Sequence, residues 1–168
     1  MSTFAPHFVF DMDDFLDNEK VLVQKYEMLL YENKAIYFDI DEFKSIAYHY
    51  ITEGEFGKAM DVAMRAELCF PESAEPEMMR AMVLLDMRKI NEALELLDRL
   101  ENKEPLSSII NILKGRVFLE KAQAGKAILQ FEAALQKEDS EGEIFMRFNI
   151  SDLLMEYGEF EPALRFLL

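Results

Sequence analysis

Cysteine, proline, glycine and tryptophan are scarce in this chain of 168 residues, which has one Cys, five Pro, six Gly and no Trp. So few prolines and glycines disfavour collagen-like, disordered and turn-rich all-β chains. The single thiol, Cys69, excludes an internal disulfide and fits a reducing compartment, so we expect a cytoplasmic protein. The chain shows neither an apolar run of ~18 residues nor a basic leader, so no membrane span and no signal peptide are predicted.

Basic residues are also few, because 18 Lys and Arg face 33 Asp and Glu, for a formal net charge of −15. A surface that binds nucleic acid needs clustered Lys and Arg, and so does one that binds an anionic membrane. Here the basic residues are scattered singly among acids. We therefore expect no nucleic-acid partner and no membrane partner.

Residues that carry chemistry are equally sparse. His7 and His49 are the two histidines, and no paired cysteines, Gly-rich phosphate loop or Gly-x-Ser-x-Gly motif is present. The acidic stretch at residues 11–17 lacks the central Gly and the terminal Glu of a calcium loop. The sequence therefore predicts no enzymatic activity, no catalytic residue, no metal site and no cofactor.

Good helix formers dominate the composition of the chain. Small residues, glycine and proline recur among them in a fixed pattern. With Ile40 as position one, small residues stand at positions eight, twenty and twenty-seven, a glycine at fifteen and a proline at thirty-two. These are Ala47, Ala59, Ala66, Gly54 and Pro71. Small residues at such spacing let the backbones of two helices approach closely.

The pattern returns every 34 residues. Its next occurrences are Ala81, Ala93 and Pro105, then Gly115, Ala127 and Ala134, and after a two-residue slip Ser151, Gly158 and Ala163. Over residues 40–168 the chain resembles the tetratricopeptide-repeat family, although Arg88 and Ala122 replace the turn glycine. The resemblance implies an all-α fold, a right-handed αα-superhelix, or solenoid, of antiparallel helix pairs.

The repeats are expected at about 40–73, 74–107 and 108–141, with a partial one at 144–168. Residues 1–39 are then an N-terminal tail and capping helix, with the amphipathic helix itself at 18–34. The alternative is that this helix lies in the concave groove of its own chain or of a neighbour.

Helix ends can be predicted from local signals. Asp39 with Glu42, and Ser140 with Glu143, have the spacing of capping boxes, which satisfy the free N–H groups of a helix start. The glycines at position fifteen, such as Gly54, suit the left-handed residue that closes a helix.

The family's geometry implies that positions two, five, nine and twelve of each first helix face the concave surface. The candidate peptide-binding residues are Lys44, Tyr48, Ile51, Met78, Met82, Leu85, Ile112, Arg116, Leu119 and Phe148. Relatives that hold acidic C-terminal tails use a polar clamp, which Lys44 matches but Tyr48, Met79, Ile109 and Leu113 do not. The prediction is a non-catalytic protein–protein interaction scaffold that binds a peptide or an amphipathic helix in an apolar groove.

The rival interpretation is structural self-association, or a spacer module of a longer repeat protein. The partner is an unidentified protein or peptide, and a homodimer is the other option. The apolar final segment at residues 163–168 would leave a solenoid end uncapped. We therefore expect either that the sequence is part of a longer array or that another chain covers this end.

Overall fold

The computed structural model describes the backbone of residues 12–168 and the side chains of residues 19–168. Every regular element in this part of the chain is an α-helix. In chain order they are α1 (Met12–Tyr31), α2 (Ile40–Thr52), α3 (Phe56–Cys69), α4 (Glu75–Asp86), α5 (Ile90–Lys103), α6 (Ser108–Glu120), α7 (Ala124–Leu135), α8 (Ser140–Glu156) and α9 (Phe160–Leu167). Among these helices, none combines the length and the apolar character needed to cross a bilayer.

The described chain divides into two compact units. The N-terminal unit, residues 12–87, contains α1 to α4, and the C-terminal unit, Arg88–Leu168, contains α5 to α9. Within the units, α2 packs on α3, α6 on α7 and α8 on α9, each pair joined by a short turn. The first helices of successive repeats also touch, α2 with α4 and α6 with α8.

The start of α2 has the predicted capping box. The Asp39 carboxylate accepts a hydrogen bond from the Glu42 backbone N–H at 2.8 Å, and the Glu42 carboxylate accepts from the Asp39 N–H at 2.9 Å. The box predicted from Ser140 is wrong, because the extended residue before α8 is Asp139, whose carboxylate accepts from the Gly142 N–H at 2.9 Å. Ser140 is already the first helical residue.

The turn between the two helices of a pair keeps one backbone geometry. Gly54 and Gly158 have the predicted left-handed conformation, with φ of 74° and 78°. Arg88 and Ala122, which replace the glycine at the same repeat position, adopt it as well, at 61° and 54°. A side chain in this region costs roughly 1–2 kcal/mol, so both turns keep the left-handed geometry at a cost in backbone strain.

The core of the N-terminal unit is built on aromatic rings. Tyr26 of α1 packs against Phe38 and Tyr50, with ring centroids 6.1 and 6.4 Å apart. Lys58 of α3 is 3.3 Å from the Glu27 carboxylate of α1. Thus α1, which begins and ends somewhat earlier than the predicted 18–34, lies against the side of α2 and α3 that carries Tyr50 and Lys58.

In the C-terminal unit, the closest approach of two helices is at Gly115 of α6. A Cβ at this position would lie 2.7 Å from both Cδ1 and Cζ of the Phe131 ring of α7, and closer still to Cε1. Phe131 is fully buried and meets Phe166 of α9 edge-on, with ring centroids 6.2 Å apart. The small residue at position eight therefore serves the purpose that the repeat pattern indicated.

A recurring ion pair involves position seven of the second and third repeats. Arg80 contacts Glu67 at 3.1 Å, and 34 residues later Lys114 contacts Glu101 at 2.6 Å. Lys114, whose side chain is only 8% exposed, also contacts Asp98 at 2.6 Å. Burial lowers the pKa of Lys114, but hydrogen bonds to the two carboxylates outweigh burial and hold that pKa above its usual value. The buried cation is thus fully paired.

Candidate peptide-binding face

The first helices of the N-terminal unit present a mainly closed surface. Of the predicted residues here, three are buried in the helix packing: Ile51, Met78 and Leu85, the last with 0% exposure. Lys44, Tyr48 and Met82 are half-buried and keep some accessible area. The Lys44 amine is 2.7 Å from the Glu75 carboxylate of α4, so this ion pair crosses from α2 to α4.

Tyr48 of α2 is one of the half-buried residues of this surface. Burial, followed by the negative charges of Glu19 and Asp86, raises the pKa of its phenol. Next to it, His49 Nδ1 is 2.8 Å from the nearly buried Glu19 carboxylate of α1. His49 is therefore a partly buried side chain held against α1.

In the C-terminal unit, the predicted residues of α6 lie mostly below the surface. Ile112 and Leu119 are buried in the same apolar cluster as Ile150 and Leu154 of α8. Arg116 is half-buried and hydrogen-bonds to the hydroxyl of Tyr157. Ile109, one turn before Ile112, is exposed. The predicted positions on α6 therefore lie where α6 meets α8, and only part of them is accessible.

Helix α8 is apolar on two sides. One side packs in the core through Ile150, Leu153 and Leu154. The other side is exposed, with Phe148 at 63% and Ile144 at 62% exposure. We call this side the α8 face, and it comprises Glu141, Ile144, Phe145, Phe148, Asp152, Met155 and Glu156. With about 100° between successive residues, these seven lie within about 120° of one another.

The α8 face carries charge of one sign. Glu141, Asp152 and Glu156 are exposed on one side of Ile144, Phe148 and Met155, and within the described chain none of the three acids forms an ion pair. No lysine or arginine is among the exposed residues of α8. Its single basic residue, Arg147, pairs with Glu143 at 2.7 Å outside the α8 face. The surface is therefore apolar and acidic.

The C-terminal ends of α6 and α8 are tied together beside this face. The Glu120 carboxylate, which is nearly buried, accepts hydrogen bonds from the Arg88 guanidinium and the Tyr157 hydroxyl. Burial raises the pKa of Tyr157 most, and the hydrogen bond to Glu120 raises it further, whereas Arg116 lowers it. Glu120 of α6 is thus linked directly to Tyr157 at the end of α8.

Sequence reasoning placed Phe148 in the candidate site but left out Ile144, Glu141 and Glu156. The reason is that the family pattern counts only four positions of each first helix, and these three lie outside them. A sequence signal existed, because α8 has large apolar residues around most of its circumference, whereas a surface helix normally has one apolar stripe. Whether the ten predicted residues bind a ligand stays a prediction.

The chain matches no protein-family model, and no curated protein matches it. Solved structures do resemble it. The 41-to-end form of MamA from Desulfovibrio magneticus RS-1 is 15% identical with a TM-score of 0.56, over 92% of this chain and 89% of that chain. MamA of AMB-1 is 18% identical in its P212121 form (TM-score 0.55) and 19% in its C2221 form (TM-score 0.51), each over 92% of this chain and 91% of that chain.

At such identities the likeness concerns the fold alone. MamA is a tetratricopeptide-like helical repeat protein, and this chain shares its succession of helices over nearly the full length of both. The fold class predicted from the 34-residue pattern, an all-α solenoid of helix pairs, is therefore confirmed.

Proposed function

We propose that this chain is a non-catalytic, cytoplasmic protein-interaction scaffold of the tetratricopeptide-repeat family, which binds a peptide or an amphipathic helix on the exposed faces of its first helices. One observation carries the proposal: α8 has a second apolar side, with Ile144 and Phe148 more than half exposed. A helix needs one apolar side to pack in a solenoid, and an apolar run on the opposite side marks an interaction surface.

The exposure of each residue on these first helices also indicates which residues would contact the partner. Phe148 is the central anchor, because aromatic side chains in the middle of an interface carry much of the binding free energy. On α6, Ile109 and Arg116 are accessible and Ile112 and Leu119 support them from below. In the N-terminal unit the accessible candidates are Lys44, Tyr48 and Met82, above the buried Ile51, Met78 and Leu85. Methionine suits such a surface because its side chain adapts to different partners.

The test compares two equally exposed apolar residues of the C-terminal unit. Phe148→Glu places a charge at the proposed anchor, and Leu129→Glu places it on α7, where Leu129 is also 63% exposed. Proteins from the source cells are captured on wild type and on both variants, and each candidate is then purified and titrated calorimetrically. We expect binding to wild type and Leu129→Glu, with at least a ten-fold loss for Phe148→Glu, about 1.4 kcal/mol. Equal binding by all three proteins would refute the assignment.

Self-association is the second candidate, and α9 favours it. Phe160, Leu164 and Leu167 form an exposed stripe on this helix, and Glu161 and Arg165 beside it are exposed charges of opposite sign. Two copies related by a two-fold axis can pair such a surface with itself. Light scattering on wild type and Leu164→Glu separates the candidates. A dimer that Leu164→Glu dissociates supports self-association through α9, whereas a concentration-independent monomer excludes it.

A further inference from the structure

The negative charge of the α8 face restricts which partners can bind it. A second copy, placed two-fold symmetrically, would bring Glu141, Asp152 and Glu156 of one chain against the same carboxylates of the other. Like charges at close range oppose association, and no exposed lysine or arginine on α8 offsets them. An acidic partner is disfavoured for the same reason. The complementary surface is apolar with basic residues along one side.

The shape of the face restricts the partner further. Ile144, Phe148 and Met155 follow one side of a helix of 17 residues, which is about 25 Å long. Phe145 and Asp152 lie beside them toward the same edge as Glu156. A single helix of similar length with an apolar stripe can contact these residues together, and its flanking side chains then reach the carboxylates.

We infer that the α8 face binds an amphipathic helix whose apolar stripe is flanked by lysine or arginine. This inference rests on the proposed function, since it names the chemical class of the partner for the same surface. Phe148 inserts into the apolar stripe, and Glu141, Asp152 and Glu156 pair with basic residues along one side of it. The apolar contacts supply most of the affinity, and the carboxylates select basic helices over acidic ones.

Three peptides of 17 residues, the length of α8, test this. The first has leucines at helical spacing flanked by lysines, the second has glutamates in place of the lysines, and the third is a scramble of the first without a stripe. Each carries one tryptophan. Because the protein has no tryptophan, the fluorescence reports the peptide alone. Titrations use the full chain, with circular dichroism to check that each variant is folded.

We expect the basic striped peptide to bind about ten-fold more tightly than the acidic peptide and the scramble. Exposed ion pairs strengthen binding by about 1.4- to 5-fold each, so three of them give about 3- to 100-fold, with about ten-fold near the middle of that range. Neutralising the three acids by Glu141→Gln, Asp152→Asn and Glu156→Gln should remove most of that preference and weaken its dependence on salt. Phe148→Glu should abolish binding, and Leu129→Glu should not.

The contrary results distinguish a failure of the charge selection from a failure of the proposed binding face. If the basic and acidic striped peptides bind equally and both lose affinity with Phe148→Glu, the charge selection is overturned and the proposed binding face stands. If the scramble binds as well as the striped basic peptide, a general attraction to the acidic chain explains the signal and the inference is overturned. If neither striped peptide binds, the proposed function fails together with the inference.

Discussion

Replacing Gly115 by alanine tests whether the two helices of the third repeat cross as described. In an open helix interior, Gly→Ala stabilises by about 1 kcal/mol. Here the new Cβ would lie 2.7 Å from two atoms of the Phe131 ring, and Phe131 is fully buried and cannot swing outward. Overpacking of this kind costs about 1–3 kcal/mol. The clash should outweigh the helix propensity, for a net loss of up to about 2 kcal/mol in the free energy of unfolding.

Urea unfolding followed by circular dichroism measures this loss. Gly125→Ala is the matched control, because it makes the same change in α7, where a Cβ meets nothing within 4 Å. It should leave stability unchanged or raise it by up to about 1 kcal/mol. In the double variant with Phe131→Leu, the penalty of Gly115→Ala should shrink, since the two residues are in contact. A Gly115→Ala variant as stable as Gly125→Ala would refute the packing of α6 on α7.

Two further predictions concern the turn and the buried cation. Ala122→Gly should raise the free energy of unfolding in urea by about 0.5–1 kcal/mol, because glycine relieves the left-handed strain at φ 54°. Gly158→Ala should lower it by about as much. A loss of stability in Ala122→Gly would contradict the turn geometry. Lys114 is paired with Asp98 and Glu101, so its pKa is raised on folding. Its stabilising contribution is therefore complete below the unfolded pKa of about 10.4 and is lost as pH rises through the higher folded pKa. The difference in unfolding free energy between wild type and Lys114→Met should accordingly shrink at alkaline pH, and a difference that stays constant up to strongly alkaline pH would contradict the pairing.

The helices and their repeat were predictable because their causes are local or strictly periodic. The small residues at position eight of the first three repeats, Ala47, Ala81 and Gly115, stand 34 residues apart, so their spacing alone sets the register. The start of α2 was predictable because Asp39 is the only good capping residue at the right distance before Glu42. At α8, Asp139 and Ser140 are adjacent and both are good N-caps, so sequence could not decide between them.

The accessibility of the candidate site could not be predicted in the same way. Helical spacing says which side of a helix a residue occupies, but it does not say how near the next helix lies. Leu85 and Met78 are on the predicted side of α4 and yet are buried, whereas Phe148 on α8 is exposed. The pairing of Lys114 with Glu101 also needed the structure, although the same spacing in Glu67 and Arg80 was visible as a repeated pattern.

The central claim, that the α8 face is the binding surface, is tested most directly by mapping a bound helix on the full chain. Backbone amide signals of the isotope-labelled protein are followed by NMR while the basic striped peptide is added. We expect the largest shifts in α8 around Phe148, with smaller ones in α6 near Ile109 and Arg116, and little change around Leu129 of α7. Shifts centred on α7 or on α9, or spread evenly over the chain, would contradict the claim.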